Sequence, residues 1–207
     1  MRHEDHLGNV GLLESGGVQW MTAARGVIHS EMPQQEQGVM RGFQIWLNLP
    51  AKNKLMDPDY RDFLPREIPR VRLPDGIEAV IIAGQFSAQG FEQIGAVQRP
   101  DTDPQLFDIH LPAGTRLNLR LPEGHRLMLY VFDGELTLGE ERITKNQLVR
   151  LSDNGELEMT SINGARVLLL AGKPLGEPIV QYGPFVMNSR DEIEQALRDF
   201  RDGVFTD

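Results

Sequence analysis

The sequence has no cysteine, which excludes disulfide bridges, thiolate nucleophiles and cysteine-based metal sites. It also has no cluster of basic residues: 21 lysines and arginines stand against 30 aspartates and glutamates, for a formal net charge of −9. Nucleic acids and anionic membranes are bound through a positive surface, so we expect neither as a direct partner. No apolar run approaches the roughly 20 residues that span a bilayer. The polar N-terminus lacks the apolar segment of a signal peptide. These absences favour a cytoplasmic protein.

Glycine and proline, with 21 and 13 copies, interrupt the sequence every few residues and leave mostly short runs between them. This pattern is typical of an all-β sandwich or barrel. Near the N-terminus, Val18–Met21 and Gly26–Glu31 are predicted strands, and Gly42–Leu49 alternates apolar and polar residues as a half-buried strand does. Further strands are predicted in the second half of the chain. They are Ala79–Ala83, Phe107–Leu111, Arg116–Leu121, Gln147–Leu151, Leu157–Ser161 and Arg166–Ala171.

Three other segments carry local signals. Within His125–Leu138, the dipeptide Asp133-Gly134 predicts a hairpin, because Asp-Gly favours a tight type I′ turn. Between residues 50 and 74, five prolines and many charges predict an irregular connector, with one turn of helix at Tyr60–Phe63. The capping box Ser189-x-x-Glu192, followed by apolar residues at helical spacing, predicts a C-terminal helix.

His29 and Glu31 are the clearest candidates for chemistry. They lie two residues apart on a predicted strand, so the imidazole and the carboxylate point to one face while Ser30 points away. An imidazole and a carboxylate are the beginning of a mononuclear site for iron, manganese or a similar metal. Two ligands do not complete such a site. By spacing alone, a pair on the surface or a hydrogen-bonded pair is the stronger alternative.

Segments spread along the whole chain resemble the pirin family. They are Gly17–Pro33, which contains Ile28-His29-Ser30-Glu31-Met32; Gly42–Pro50 with the charged stretch Lys54–Tyr60; and Glu177–Asn188, which contains Gln181-Tyr182-Gly183-Pro184-Phe185. The resemblance implies two consecutive cupin barrels, of which the first binds one metal, usually iron, through three histidines and one glutamate. It places two of these ligands at His29 and Glu31. The other two histidines belong to a His-Pro-His-Arg-Gly-like segment, which the 207 residues do not contain.

The resemblance therefore implies an all-β fold of two cupin (jelly-roll) barrels, the first incomplete, plus a C-terminal helix. The expected domains are the C-terminal part of the first barrel at 1–50, a connector at 51–75, the second barrel at 76–188, and the helix and tail at 189–207. Three explanations of the incomplete barrel stay open. The chain is a fragment or mis-started product of a longer protein, its open edge pairs with a second copy in a homodimer, or His3 or His6 substitutes as a ligand. The simplest expectation for both histidines is a solvated hairpin tip.

Resemblance to pirins also implies a quercetinase-like, iron-dependent dioxygenation, in which a flavonol-like molecule binds the metal and its ring is cleaved. Glu31 would then be both a metal ligand and the catalytic base. The alternative is a non-enzymatic regulatory module that binds a protein partner and has a metal-free or metal-switched cupin. With two ligands, the 207 residues are expected to bind metal weakly or not at all. In the second barrel His125 has no neighbouring histidine, so we expect that barrel to be metal-free.

Overall fold

The computed structural model of the protein describes residues 1–152 and 155–206. Residues 153–154 of the predicted second barrel and residue 207 of the predicted tail lie outside this description. The chain divides into two compact units. We call residues 66–174 the central unit, and residues 1–65 together with 175–207 the terminal unit. The domain boundaries drawn from the sequence stay a prediction. No helix in the described ranges is long and apolar enough to cross a membrane.

Eighteen strands and one α-helix are found in the described residues. In chain order they are β1 (Arg2–Asp5), β2 (Val10–Leu12), β3 (Val18–Thr22), β4 (His29–Met32), β5 (Asp59–Phe63), β6 (Arg70–Arg72), β7 (Glu78–Ala83), β8 (Gln85–Ala88), β9 (Phe91–Ile94), β10 (Gln105–Leu111), β11 (Thr115–Arg120), β12 (Arg126–Leu138), β13 (Glu141–Thr144), β14 (Gln147–Leu151), β15 (Glu156–Ser161), β16 (Ala165–Gly172), β17 (Val180–Tyr182), β18 (Phe185–Met187) and α1 (Arg190–Asp202).

The central unit is one 11-stranded sheet with the path β6-β7-β10-β16-β12-β15-β11-β8-β9, and β13 and β14 pair with β12. The two ends of this path, β6 and β9, contact each other, so the sheet is curled into a nearly closed barrel. Its strands alternate between buried and exposed residues, as in β11, where Leu117 and Leu119 are buried between exposed neighbours. Such alternation points every second side chain towards the barrel interior.

The interior of this barrel is a single apolar cluster. Phe86 and Phe107 are fully buried and meet edge to face, with their ring centroids 5.6 Å apart. Leu129 on β12 and Leu169 on β16 are fully buried directly opposite each other in the ladder. Because each fully buried side chain of this size contributes roughly 1.5–3 kcal/mol, the cluster is the main source of stability in the central unit.

The terminal unit contains three small sheets, β2-β1-β4, β3-β5 and β17-β18. Helix α1 packs on β17 and β18 and buries Ile193. The buried Lys54 joins the two ends of the sequence, because its Nζ donates to Asn48 Oδ1 at 2.7 Å and to the Val186 carbonyl at 2.9 Å. Desolvation by this burial lowers the pKa of Lys54. These hydrogen bonds link the C-terminal tail to the N-terminal segment within the terminal unit.

The predicted hairpin at His125–Leu138 is wrong. These residues form one strand, β12, of 13 residues from Arg126 to Leu138. The Asp133-Gly134 pair lies at a register shift in the β12–β16 ladder rather than at a turn. Gly134 has a φ of 68°, which accommodates such a bulge without reversing the chain. The dipeptide that predicted a turn therefore forms a bulge within the strand instead.

Two further local predictions are wrong. Residues 41–50 contain no strand, although Gly42–Leu49 alternates, because a strand also needs a ladder partner and these residues have none among those described. Tyr60–Phe63 is not helical but belongs to β5, and β6 also falls in the predicted irregular connector. The prolines of this region lie outside both strands, where they interrupt no ladder bond. The predicted helix at the C-terminus is confirmed as α1.

Candidate metal-binding strand and the histidines around it

His29 and Glu31 both lie on β4, an edge strand of the sheet β2-β1-β4. Because they are two residues apart, their side chains share one face of the sheet. Across the ladder, His29 is paired with Asp5 and Glu31 is paired with His3. Residues directly opposite each other in an antiparallel pair lie on the same face. One face of this small sheet therefore carries two imidazoles and two carboxylates.

Both candidate ligands are open to solvent. Every residue of β4, including His29 and Glu31, is exposed. Neither side chain is constrained by surrounding packing, so each can adopt the orientation that a bound ion or molecule requires. The arrangement brings the two groups onto one strand, as the sequence predicted, without enclosing them in a pocket.

His3 is buried, with 6% of its surface exposed, and its role is structural. Its Nε2 lies 2.9 Å from Asp62 Oδ2 on β5, and its ring meets Tyr60 edge to face at 5.4 Å. Asp62 Oδ1 accepts a further hydrogen bond from Gln19 Nε2 at 3.3 Å. A side chain at Gly11, which is opposite His3 in the β1–β2 ladder, would collide with the imidazole. The prediction that His3 is a solvated hairpin tip is wrong.

The charges near His3 change the pKa of Tyr60. Burial raises the pKa of the Tyr60 hydroxyl, and the negative charges of Asp62 and Asp5 raise it further. Desolvation also acts on Asp5, but hydrogen bonds from Asn9 and from the Leu7 amide outweigh it and hold the pKa of this carboxyl below its usual value. The Asp5 carboxylate is thus occupied by the turn that joins β1 to β2.

The side chains of β4 include two suitable metal ligands, but two are too few to complete a metal site. Among residues 1–152 and 155–206, no group of three or more histidine, cysteine, aspartate or glutamate side chains is arranged to hold a metal ion. His29 and Glu31 offer one nitrogen and one carboxylate on the shared face. The Nε2 of His3 is already engaged with Asp62. The described residues alone therefore do not fit a complete iron centre.

A second buried imidazole lies in the central unit. His125, immediately before β12, is 8% exposed, and its Nε2 lies 3.0 Å from Asp103 Oδ2 and 3.2 Å from the Asp103 carbonyl. In the sequence, His125 stands out only as a histidine without a histidine neighbour. The pairing is not apparent there because Asp103 is 22 residues away and precedes a different strand. No local signal in the sequence links the two.

The nearly closed barrel of antiparallel strands is the architecture of the cupin class. Comparison with family models narrows this class. Residues 1–47 match the model described as Pirin, and residues 106–206 match the model described as Pirin C-terminal cupin domain.

Individual relatives agree. The chain is 64% identical over 207 residues to a Pseudomonas aeruginosa protein named "Putative quercetin 2,3-dioxygenase", covering 99% of this chain and 73% of the relative. The crystal structure of quercetin 2,3-dioxygenase from Acinetobacter baumannii superposes with a TM-score of 0.88 at 32% identity, covering 99% of this chain and 72% of that one. The chain belongs to the pirin family. The expected mostly β cupin fold with one C-terminal helix is thereby confirmed.

A more distant neighbour shares the fold. It is the crystal structure of a bacterial pirin from Escherichia coli in complex with nickel(II), which has a TM-score of 0.60 at 18% identity and covers 84% of this chain and 68% of that one.

Proposed function

We propose that the protein is a pirin-like metal-binding cupin that acts as a quercetinase-like, iron-dependent dioxygenase once its metal site is complete. His29 and Glu31 are two of the metal ligands in this proposal. The observation that carries it is the shared face of β4, where an imidazole and a carboxylate stand two residues apart and exposed. The names of the Pseudomonas and Acinetobacter relatives support the choice of a flavonol-like substrate.

Glu31 has a second proposed role as the catalytic base. Its carboxylate is exposed, so a hydroxyl group of a flavonol can approach it directly and transfer a proton to it. A bound iron would supply open coordination positions for dioxygen or a chelating substrate. His29 acts only as a ligand in this proposal, while Ser30 points to the opposite face of the strand.

The first prediction follows from the number of metal ligands in the 207-residue chain. Since a mononuclear site normally needs at least three protein ligands, the 207-residue chain should bind iron weakly and turn over quercetin negligibly. Metal analysis after anaerobic loading with Fe(II), together with loss of the flavonol absorption band, measures both properties. The same measurements are made on a longer version that carries a His-Pro-His-Arg-Gly-like segment well upstream of β1. Stoichiometric iron in the 207-residue chain would overturn the donor count.

Substitutions in the extended version test the ligand assignment. His29→Ala and Glu31→Gln should each weaken iron binding and lower the iron content, because each removes one of the four proposed ligands. Ser30→Ala is the matched control on the same exposed strand and should keep the wild-type iron content. If iron content is unchanged in His29→Ala, the assignment of β4 as the metal-binding strand fails.

A second candidate function is non-enzymatic binding of a regulatory or metabolic protein, with the metal absent or acting as a switch. The observation that favours it is the exposure of several large apolar side chains in the terminal unit, where Val39, Trp46 and Met32 are 89%, 61% and 60% exposed. Binding of a partner protein would remove such side chains from water. A partner retained by the chain and lost in Trp46→Ser, without flavonol turnover in any form, would favour this function. Sedimentation velocity shows whether the partner is instead a second copy of the chain.

A further inference from the structure

His125 presents one nitrogen that the protein does not use. Both atoms within hydrogen-bonding distance of its Nε2, the Asp103 carbonyl at 3.2 Å and Oδ2 at 3.0 Å, are oxygens that only accept. Nε2 therefore carries the hydrogen, and in the neutral ring Nδ1 keeps a lone pair. Within the described ranges, Nδ1 has no hydrogen-bond donor. The pairing with Asp103 thus fixes the tautomer and leaves an acceptor.

Asp103 is itself held in place before any ligand binds. Its φ is 40°, in the left-handed region, and its amide donates to the Arg99 carbonyl at 2.7 Å. The buried Gln105 donates through Nε2 to Asp103 Oδ1 at 3.2 Å, and its own Oε1 accepts from the Gln85 amide at 2.8 Å. A non-glycine residue in this conformation costs free energy and persists only where its surroundings enforce it. The imidazole is therefore oriented by a rigid support.

The oriented imidazole lines a cavity of about 570 Å³ that is widely open to solvent, and all of its lining residues belong to the central unit. Its other lining residues include Pro100, Asp103, Glu123, Lys173 and Pro174. Gly124, between Glu123 and His125, has a φ of 76° and open space where a side chain would project.

The lining combines hydrogen-bond donors and acceptors of opposite charge. Lys173 supplies an ammonium donor, Glu123 supplies a carboxylate acceptor, and His125 supplies the lone pair of Nδ1. With Asp103 included, the lining has two carboxylates and one ammonium group, so a charged ligand of either sign would meet at least one group of like charge. Pro100 and Pro174 offer apolar surface for C–H groups. Adjacent hydroxyl groups on a carbon skeleton satisfy this set, because each hydroxyl both donates and accepts.

We propose that this cavity is a second small-molecule site, separate from β4, which binds a neutral polyhydroxylated ligand of the sugar or polyol class. A ligand hydroxyl donates to His125 Nδ1, while other hydroxyls accept from Lys173 and donate to Glu123. The proposal concerns the central unit alone and does not depend on metal binding by His29 and Glu31.

The tautomer is tested first, without a ligand. Long-range ¹H–¹⁵N correlation spectra of the ¹⁵N-labelled chain, recorded at a pH alkaline enough to leave the ring neutral, should show a protonated Nε2 and an unprotonated Nδ1 for His125. Assignment comes from His125→Gln, which removes only that signal set. A protonated Nδ1 in the neutral ring would overturn the proposal, because no acceptor would then face the cavity.

Ligand binding is tested with methyl α-D-glucopyranoside as the neutral probe, and with citrate and putrescine as anionic and cationic comparators. The neutral probe should shift the His125 ring nitrogens and the Lys173 and Gly124 amides saturably, whereas the charged probes should bind at least about tenfold more weakly. Tighter binding of citrate or putrescine than of the glucoside, or no saturable shift with the glucoside, would refute the assignment of ligand class.

Variants then locate the site. His125→Gln keeps an amide donor for Asp103 but removes the ring acceptor, and it should weaken glucoside binding about tenfold. Lys173→Met and Glu123→Gln change exposed residues and leave the fold intact, so each should also weaken binding. His110→Gln changes an exposed histidine on β10 outside the cavity and should bind as the wild type does. Unchanged affinity in both Lys173→Met and Glu123→Gln would count against the site even if His125→Gln were unstable.

Discussion

At the scale of single residues, similar side chains have different tasks because of what surrounds them. His3 and His125 are buried, and each is paired with an aspartate, whereas His29 is exposed on an edge strand. Buried imidazoles with a carboxylate partner are fixed in orientation, while an exposed one is available to a ligand. The identity of the residue alone does not distinguish these cases.

Gly134 gives the sharpest prediction at this scale. A Cβ at this position would overlap the Gly164 carbonyl oxygen of the facing backbone, and its φ of 68° is unfavourable for other residues. Gly134→Ala should therefore lower the free energy of unfolding by roughly 2 kcal/mol or more, measured by urea denaturation. Gly139→Ala is the matched control, because Gly139 has a φ of 58° but open space at its Cβ. It should cost about 1 kcal/mol. Equal losses in the two variants would show that close packing at Gly134 is unimportant.

At the scale of elements, β12 organises the central unit. It pairs with β13, β14, β15 and β16. One strand of 13 residues therefore connects four other strands of the sheet, which no local sequence pattern indicated. Its alternation points Leu127, Leu129 and Val131 into the barrel. The Asp133-Gly134 bulge lets one continuous strand serve several partners, since a bulge increases local bending and twist.

Truncation of a core side chain on β12 should be costly. Leu129→Ala removes a fully buried side chain and should lower the free energy of unfolding by roughly 2–5 kcal/mol, because transfer and cavity terms add. Met128→Ala changes the adjacent residue, which is 39% exposed and faces the other side of the strand, and should cost less than about 1 kcal/mol. Chemical denaturation followed by fluorescence measures both. The assignment of the barrel interior would be wrong if Met128→Ala were the more destabilising change.

Helix α1 carries the pH-dependent prediction. The Ser189 hydroxyl accepts from the Glu192 amide at 3.3 Å, and the Glu192 carboxylate accepts from the Asn188 amide at 3.0 Å. A hydrogen bond from the Ser189 side chain lowers the pKa of Glu192, and the Asn188 and Ser189 amides lower it further against the effect of desolvation. Since the folded pKa lies below the unfolded value, this stabilisation is fully present above about pH 4.5 and is lost as the pH falls through the folded pKa.

Two variants test this cap. Ser189→Ala should destabilise the terminal unit by about 1 kcal/mol at pH 7, because it removes the side-chain acceptor at the start of the helix. Glu192→Gln should be less stable than wild type at pH 7, and the difference should shrink below pH 4. Helix melting followed by circular dichroism at both pH values gives the comparison. A difference that grows on acidification would contradict the sign of the pKa shift.

At the scale of the whole molecule, apolar burial is unevenly distributed. The apolar cluster lies entirely between Val71 and Ala171 in the central unit. In the described part of the terminal unit, the buried apolar side chains of the core are Phe63 and Ile193. The terminal unit relies instead on edge-to-face contacts of Phe185 with Phe200 and Phe205, and on polar contacts of Lys54 with Asn48 and Val186. Because hydrophobic burial is the main favourable term in folding, the two units should differ in stability.

Hydrogen exchange measured by mass spectrometry tests this difference. Amides of β12 and β16 should exchange most slowly, through near-global unfolding, whereas β1, β3 and β4 should exchange through local opening of lower free energy. Leu129→Ala should accelerate exchange in the central unit more than in the terminal unit. Equal protection of β1 and β12 in the wild type would refute the uneven distribution of stability.

The sequence by itself determined the features that depend on neighbours along the chain. Short runs between glycines and prolines predicted β7, β10, β14, β15 and β16, and alternation predicted β11. The capping box predicted α1, and family motifs indicated the cupin fold and the His29–Glu31 pair on one strand. Each of these signals is contained within a few residues. Because each signal depends on residues that are close together in the sequence, it can be recognised without coordinates.

Only the tertiary structure decided the pairings between distant residues. It placed Asp62 against His3 across 59 positions, turned an expected hairpin into one strand, and left Gly42–Leu49 outside the strands of the described ranges. It also brought Asp103 to His125. The physical reason is that hydrogen-bond partners and packing neighbours are chosen by the path of the whole chain, and local propensity yields wherever the ladder and the core demand another conformation.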